Sequence, residues 1–354
     1  MSNDVSMSHY QTTGRFQRFL YLGLFGCLLF SIILRVALTL NREIDIDEFQ
    51  HLHAAWMVSQ HYILYKDFWE NHTPLFYYVL VPLFRWCGEG AGLVLIARGM
   101  MSFTAFGILA MTYFLSRLDH DRKTSFLAVL VLSYMFIFVE KSIEVRPDQL
   151  VVMLWLGSLW ISIKALSTER AWKFLLAGFL LGVAYLFSPK ALLPFAALSC
   201  TFLVQCYLRN SQGAVLRFIK IQGGYTLGFL IPIVICLALF YHAGTLREML
   251  NCTVLDNFTY PNIYRPTYLL KLRNICFFLL ALAGLFIHLR QMRKSSPTAR
   301  ANQLALLLPT LFLLLVFLFL LTAPYAQSAL LFVPMLAIYA AVALKKSIDE
   351  LLMP

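Results

Sequence analysis

Apolar residues in this chain form long continuous runs that are separated by short polar segments. Ten runs approach the length of about 20 residues that an α-helix needs to cross the hydrocarbon core of a bilayer. They cover residues 19–40, 96–118, 125–139, 149–166, 172–187, 191–207, 223–241, 269–289, 304–322 and 325–344. Because the runs are continuous and do not alternate, they indicate helices and not membrane strands. The pattern therefore predicts an all-α, polytopic membrane protein with about ten transmembrane helices.

One further apolar run, residues 74–86, is too short to cross the membrane as a helix. If it lies in the interface, every second loop and both termini carry the excess of Lys and Arg. The positive-inside rule then makes those surfaces cytoplasmic. The aromatic residues of the run also suit an interfacial position. The sequence thus predicts a cytoplasmic tail (1–18) and a single transmembrane domain (19–354). The domain has external loops at 41–97, 140–148 and 242–268.

Composition supports this class of protein. Hydrophobic residues make up 60% of the chain and charged residues 13%, against about 25% charged residues in an average soluble domain. The net charge of +11 comes from basic loops between the predicted spans, so it indicates orientation in a membrane and not nucleic-acid binding. The seven cysteines show no metal-binding spacing, and a disulfide between Cys87 and Cys252 remains open.

The segment 41–86 is the one long polar stretch. Six carboxylates precede Pro74: Glu43, Asp45, Asp47, Glu48, Asp67 and Glu70. A helix is predicted over 47–61, and capping its N-terminus accounts for one acid but not for four within six residues. Acids at the lipid boundary are costly and usually functional. Asp47 or Glu48 is therefore a candidate general base that would take a proton from an acceptor hydroxyl or amine.

A metal site is the alternative interpretation of the same residues. Asp45 and Asp47 form an Asp-x-Asp pattern, and His51 shares a helix face with Asp47 at i,i+4. A divalent cation is conceivable there. No cofactor is expected otherwise, because the sequence contains no glycine-rich phosphate loop.

Two more polar clusters fall on the same predicted side. Residues 144–148 read Glu-Val-Arg-Pro-Asp, which suits either a helix cap with a local ion pair or a functional site. Lys190 lies at the external end of two spans, where an anionic phosphate is the obvious partner. Arg265 is a second candidate phosphate ligand, because Pro266 favours an extended backbone that could turn it over the site.

These motifs resemble GT-C glycosyltransferases, specifically the protein O-mannosyltransferase and lipid A aminoarabinose transferase branch. The resemblance rests on the Asp47-Glu48 pair, the segment 69–75 (Trp-Glu-Asn-His-Thr-Pro-Leu), Arg146-Pro147-Asp148, and Lys190 followed by Leu192-Leu193-Pro194. It covers about residues 19–207. The aminoarabinose branch has a Lys beside the acid that precedes Pro-Leu. Asn71 and His72 stand there in this chain, so the contacts with the donor phosphate are expected to differ.

The resemblance implies an inverting transfer of a sugar from a polyprenyl-phosphate donor, on the external face of the plasma (inner) membrane. Expected partners are this donor, membrane lipids and an unspecified protein, lipid or glycan acceptor. The candidate catalytic residues are Asp47, Glu48 and Asp148. The candidate ligands of the donor phosphate are Lys190, Arg265 and Arg146. The candidate acceptor-positioning residues are Glu70, His72 and Glu144.

Two other functions stay open from the sequence. A lipid transporter or flippase would place polar groups near the membrane midplane. Here the charges gather at one interface, which favours chemistry at the surface. A catalytically inactive GT-C-like scaffold is the remaining alternative.

Overall fold

The computed structural model describes residues 2–209, 212–256, 271–321 and 325–352, and its regular structure is helical. The α-helices are α1 (Ser2–Asn41), α2 (Ile46–Ser59), α3 (Leu75–Cys87), α4 (Gly92–Ser116), α5 (Arg122–Tyr134), α6 (Phe136–Lys141), α7 (Asp148–Thr168), α8 (Ala171–Phe187), α9 (Leu192–Arg209), α10 (Ala214–His242), α11 (Leu246–Leu250), α12 (Leu272–Met292), α13 (Pro297–Leu315) and α14 (Val333–Leu352). Short 3-10 turns cover Pro189–Ala191 and Ala326–Leu331, and π turns follow α11 and α13.

Seven helices of the described part are long and apolar enough to cross a membrane. They are Leu22–Asn41, Gly92–Ser116, Asp148–Thr168, Pro189–Arg209, Ala214–His242, Asn274–Met292 and Ala299–Leu320. The prediction of an all-α, multi-pass membrane protein is confirmed, whereas the count of ten spans is not.

The other three predicted spans fall on helices that are interrupted or short. The run 125–139 is divided between α5 and α6, because Met135 is extended with ψ 121°. The run 172–187 corresponds to α8, which has 17 residues. The run 325–344 is divided between a 3-10 turn and α14.

Two boundaries also differ from the predicted ones. Helix α1 already begins at Ser2, inside the predicted tail. Helix α10 begins at Ala214 instead of residue 223, directly after Gly213. Gly213 has φ 86°, a left-handed conformation that glycine adopts at little cost, and this allows a tight entry into the helix.

Close helix packing involves α7, α8 and α10. A Cβ atom on Gly178 of α8 would lie 1.9 Å from the carbonyl oxygen of Tyr225, and one on Gly228 of α10 would lie 2.0 Å from that of Leu175. These backbones therefore touch, as small residues allow in membrane helix pairs. Trp155 of α7 donates to the Leu331 carbonyl at 2.8 Å, which joins this group to the 3-10 turn that precedes α14.

Helices α2 and α3 belong to the first loop and pack on each other, and α3 also lies against α4. Helix α3 has 13 residues, so it rises about 20 Å, less than the hydrocarbon thickness of about 30 Å. Its side chains Phe76, Tyr77 and Leu80 are fully buried in the protein. This length agrees with the prediction that 74–86 does not cross the membrane.

Candidate active site

Helix α2 begins with a capping box. Asp45 is the N-cap residue, and its Oδ1 accepts from the Asp47 backbone N at 3.0 Å. The Glu48 carboxylate reaches back and accepts from the Asp45 backbone N at 3.0 Å. The cap therefore uses Asp45 and one oxygen of Glu48 and leaves the Asp47 side chain for other contacts.

Glu48 forms a buried ion pair with Arg98 of α4. The Arg98 Nε and Nη2 atoms donate to the two carboxylate oxygens at 2.9 and 2.6 Å, and both side chains are almost fully buried. Burial raises the pKa of Glu48, but the hydrogen bonds from Arg98, Asp45 and Val145 outweigh burial and leave the pKa below its ordinary value. Glu48 was predicted as catalytic, but a buried carboxylate with every acceptor position in use is suited to support the site and not to take a proton.

Arg98 also forms hydrogen bonds with the backbone at the end of α1. Its Nη1 atom donates to the carbonyl oxygens of Thr39 and Arg42 at 3.2 and 2.8 Å, and Nη2 donates to that of Glu43 at 2.8 Å. A guanidinium at a helix C-terminus also suits the helix dipole. One arginine therefore joins the C-terminus of α1 to the N-terminus of α2.

Glu48 also positions the second loop. Its Oε1 accepts from the Val145 backbone N at 3.0 Å. Asp47 is next to Glu48 in the chain and Arg146 is next to Val145, so this one bond brings the two side chains together. Arg146 Nη2 lies 2.5 Å from Asp47 Oδ2. The Asp47 side chain is 42% exposed, and no hydrogen bond to its Oδ1 is found among the described residues.

Arg146, Asp148 and Lys190 continue the row of charges that Asp47 begins. Arg146 Nε lies 3.7 Å from Asp148 Oδ2, and Asp148 Oδ1 lies 2.5 Å from Lys190 Nζ. The two middle side chains are 7–8% exposed, whereas that of Lys190 is 32% exposed. Ser188 Oγ accepts from the Lys190 backbone N at 3.4 Å and so caps the turn that presents this lysine. The row thus has an accessible carboxylate at one end and an accessible ammonium at the other.

Glu70 and His72 form a second group near the row. Glu70 is buried and accepts from His72 Nδ1 at 2.7 Å and from Gln50 Nε2 at 3.2 Å. Burial raises the pKa of Glu70. The hydrogen bonds from His72, Gln50 and Tyr77 and the charge of His72 outweigh burial, so the pKa is lowered to about 2. The His51 ring centroid lies 4.9 Å from that of His72, and burial lowers the pKa of His51 to about 3. Glu70 is thus an anion and His51 is neutral at ordinary pH.

Glu144 lies beside the row, and its Oε2 accepts from Arg146 Nη1 at 3.4 Å. Its fully buried carboxylate accepts from Arg42 Nη2 at 2.6 Å and from Lys141 Nζ at 2.7 Å. This environment anchors the second loop to the end of α1. The sequence predicted Glu144 as an acceptor-positioning residue, but its position suits support of the loop better.

The alternative metal pattern is not assembled in the first loop. Asp45 and Asp47 both pair with the Arg146 guanidinium, at 3.7 and 2.5 Å. His51 Nδ1 instead faces the Tyr77 hydroxyl at 3.4 Å. Cys87 and Cys252 are both free, so they form no disulfide. Arg265, the remaining predicted phosphate ligand, lies outside the described residues.

Sequence reasoning missed Arg98, although a signal was present. The apolar run 96–118 contains two charged residues, Arg98 and Arg117, and Arg98 lies at the end of the run that faces the acidic first loop. A buried cation there needs a buried anion as partner, which would have indicated that one of the acids in the first loop is structural.

Comparison with known proteins shows which fold the chain has. A family model described as dolichyl-phosphate-mannose-protein mannosyltransferase matches residues 71–246, about half of the chain. ArnT from Cupriavidus metallidurans bound to undecaprenyl phosphate superposes with a TM-score of 0.68, 14% identity and 90% of this chain covered. The chain therefore has the GT-C fold. The archaeal oligosaccharyltransferase AglB from Archaeoglobus fulgidus, in complex with an inhibitory peptide and a dolichol-phosphate, gives a TM-score of 0.64, 12% identity and 95% coverage.

The chain spans only part of the length of the proteins that it resembles. It spans 59% of the ArnT chain and 51% of the AglB chain. No curated protein sequence matches it significantly. The likeness at this identity establishes the GT-C fold and confirms the resemblance drawn from the motifs, while the roles of individual residues rest on the geometry above.

Proposed function

We propose that this protein is a glycosyltransferase that moves a sugar from a polyprenyl-phosphate donor to an acceptor at the external face of the plasma membrane. The observation that carries the proposal is the row from Asp47 through Arg146 and Asp148 to Lys190, with both ends accessible. Support also comes from the mannosyltransferase family model and from the GT-C fold neighbours, two of which are bound to polyprenyl phosphates.

Asp47 is the proposed general base. Its Oδ1 takes the proton of an acceptor hydroxyl or amine while the acceptor atom attacks the anomeric carbon of the donor sugar. The bond from that carbon to the phosphate oxygen breaks, and its electron pair leaves with the polyprenyl phosphate. Arg146 on Oδ2 keeps the Asp47 carboxylate oriented before the transfer.

Lys190 is the proposed ligand of the leaving phosphate. Negative charge grows on the phosphate as the bond to the sugar breaks, and a nearby ammonium stabilises that charge. The Asp148 carboxylate holds Lys190 Nζ at 2.5 Å and fixes the position of the ammonium. Arg146 is close enough to Asp148 to add to the positive potential at this end.

The other predicted residues take supporting roles in this proposal. Glu48 and Glu144 hold the loops that carry Asp47 and Arg146. Glu70 and His72 lie beside the row, where His72 is 32% exposed and is the candidate for contact with the acceptor. No metal takes part in the proposed step.

The test has two stages, because the sugar and the acceptor must first be identified. Mass spectrometry of surface glycans and glycolipids, with and without the gene, reveals the product. Turnover of the purified protein is then compared with that of Asp47→Asn, which we expect to lose about 10²–10⁴-fold in rate while keeping its level in the membrane. Glu43→Gln is the matched control, because Glu43 is an exposed acid of the same loop.

Unchanged glycans in the deletion strain, together with no transfer from any polyprenyl-phosphate sugar in vitro, would contradict the proposed activity. A rate close to that of the wild type in Asp47→Asn would leave the activity standing and remove Asp47 as its base.

A further inference from the structure

A second group of polar side chains lies at the other end of the molecule. Asp119 and His120 follow α4 at its C-terminal end, whereas Arg98 and the candidate active site lie near its N-terminal end. The helix has 25 residues and is therefore about 37 Å long. We propose that Asp119, His120 and His288 of α12 bind a divalent transition-metal ion, for which Zn²⁺ is the best fit.

The three side chains converge on one point. One ligand atom from each residue lies within 4.8 Å of the others. Asp119 Oδ2 is 3.6 Å from His120 Nε2 and 3.6 Å from His288 Nδ1. Ligand atoms bound about 2.1 Å from a tetrahedral Zn²⁺ ion lie about 3.4 Å from one another. The observed spacing thus fits three ligands of a tetrahedral site with little movement.

Direct hydrogen bonds do not account for this cluster. At 3.6 Å the carboxylate oxygen is too far from either ring nitrogen for a hydrogen bond. Asp119 Oδ2, His120 Nε2 and both ring nitrogens of His288 are buried and have no hydrogen-bond partner in the part of the chain that the structure describes. The His288 side chain is fully buried and those of Asp119 and His120 are 6% and 10% exposed. Buried polar atoms without partners are costly, and a bound cation would satisfy Asp119 Oδ2, His120 Nε2 and one ring nitrogen of His288 together.

The surroundings are those expected around a metal ligand. Gln303 Nε2 donates to Asp119 Oδ1 at 2.9 Å, which fixes the carboxylate and leaves Oδ2 for the ion. His120 also lines a surface groove of about 350 Å³, which contains Asp121 and the ion pairs of Lys345 with Asp349 and of Lys346 with Glu350. The groove offers a path from solvent to the buried His120 side chain.

Two imidazoles and one carboxylate favour zinc or a similar ion over magnesium and calcium, which prefer all-oxygen sites. The ion would connect the loop after α4 to α12. It would act on the structure far from the sugar-transfer site. The inference therefore does not depend on the proposed function.

The experiment uses the full-length protein, purified in detergent without a polyhistidine tag. Bound zinc is measured by mass spectrometry after dialysis against Zn²⁺. Visible absorption after Co²⁺ substitution reports tetrahedral coordination by nitrogen and oxygen. We expect about one ion per chain in the wild type, and a loss of at least tenfold in Zn²⁺ affinity in Asp119→Asn and His120→Gln. Zn²⁺ should also raise the Tm of the wild type but not of these variants.

His242→Ala is the matched control, because this histidine is exposed and lies outside the cluster; it should bind zinc like the wild type. The variants replace side chains near the groove and not the fully buried His288, so that loss of metal does not follow from loss of the fold. Equal zinc content and an equal Tm response in the wild type and His120→Gln would overturn the proposal.

Discussion

Asp47 and Glu48 are adjacent carboxylates with opposite surroundings. Glu48 is fully buried and accepts from a guanidinium and two backbone N–H groups. Asp47 is 42% exposed and pairs through one oxygen only. A one-residue step along a helix turns the side chain by about 100°, because an α-helix has about 3.6 residues per turn. Sequence alone could not separate the two acids, because the pair differs only in which face meets α4.

At the level of single residues, the proposed role of Lys190 can be tested by substitution. In Lys190→Ala, the kcat/KM for a polyprenyl-phosphate donor should fall about 10–100-fold, since a charge-assisted hydrogen bond contributes about 1.5–3 kcal/mol. The KM of the acceptor should stay within about twofold, because the lysine is proposed to face the phosphate. Donor titrations at fixed acceptor concentration measure the first effect, and acceptor titrations at fixed donor concentration the second.

Lys66→Ala is the control for this variant, since Lys66 is an exposed lysine of the first loop. Lys190→Arg should recover part of the lost donor dependence, because it restores the charge with a different geometry. The same donor kinetics in Lys190→Ala and Lys66→Ala would assign the phosphate to another cation.

At the scale of elements, the Glu48–Arg98 pair connects α1, α2, α4 and the loop before α7. Removing one partner of a buried ion pair leaves an uncompensated charge, which costs about 3–5 kcal/mol. Arg98→Met should therefore lower the free energy of unfolding by that amount in a detergent denaturation experiment. The double variant Glu48→Gln with Arg98→Met should be more stable than Arg98→Met alone, because the buried charge is removed.

Arg85→Met serves as the control, since Arg85 is exposed on α3, and its effect should stay within about 0.5 kcal/mol. If the double variant were less stable than Arg98→Met, the pair would not act as a buried ionic clamp.

Some of the helices and side-chain contacts could be predicted from the sequence, and others could not. Long apolar runs such as α4, α7 and α10 were predictable because the hydrocarbon thickness requires their length. The break of the run 125–139 at Met135 could not be predicted, because no proline or glycine marks it. The gathering of Asp47, Arg146 and Lys190 followed from their shared side of the membrane and from the motifs. The proximity of Asp119 and His120 to His288 could not be predicted, because His288 is remote in sequence.

In the molecule as a whole, the candidate active site and the Asp119 cluster lie at opposite ends of the helix bundle. If the positive-inside assignment is right, the candidate active site is outside and the Asp119 cluster inside. In a variant without the exposed native cysteines, Lys66→Cys should react with an impermeant thiol reagent added to intact cells. Lys294→Cys should react only after permeabilisation. Both positions are exposed, so neither depends on unfolding. Labelling of position 294 in intact cells would reverse the orientation and place sugar transfer in the cytoplasm.

The long-range pairs also set an order of events during synthesis. Glu48 pairs with Arg98, 50 residues later, and the Arg35 guanidinium in α1 bonds to Ser142, 107 residues later. At a synthesis rate of about 5–20 residues per second, Glu48 waits roughly 3–10 s and Arg35 roughly 5–20 s for its partner. The first helix therefore enters the membrane with a charge that nothing in the nascent chain yet compensates. Asp47, Arg98, Arg146 and Lys190 emerge in that order, so the base precedes its support and the phosphate site comes last. A nascent chain released before residue 190 would hold a positioned base with no site for the leaving group.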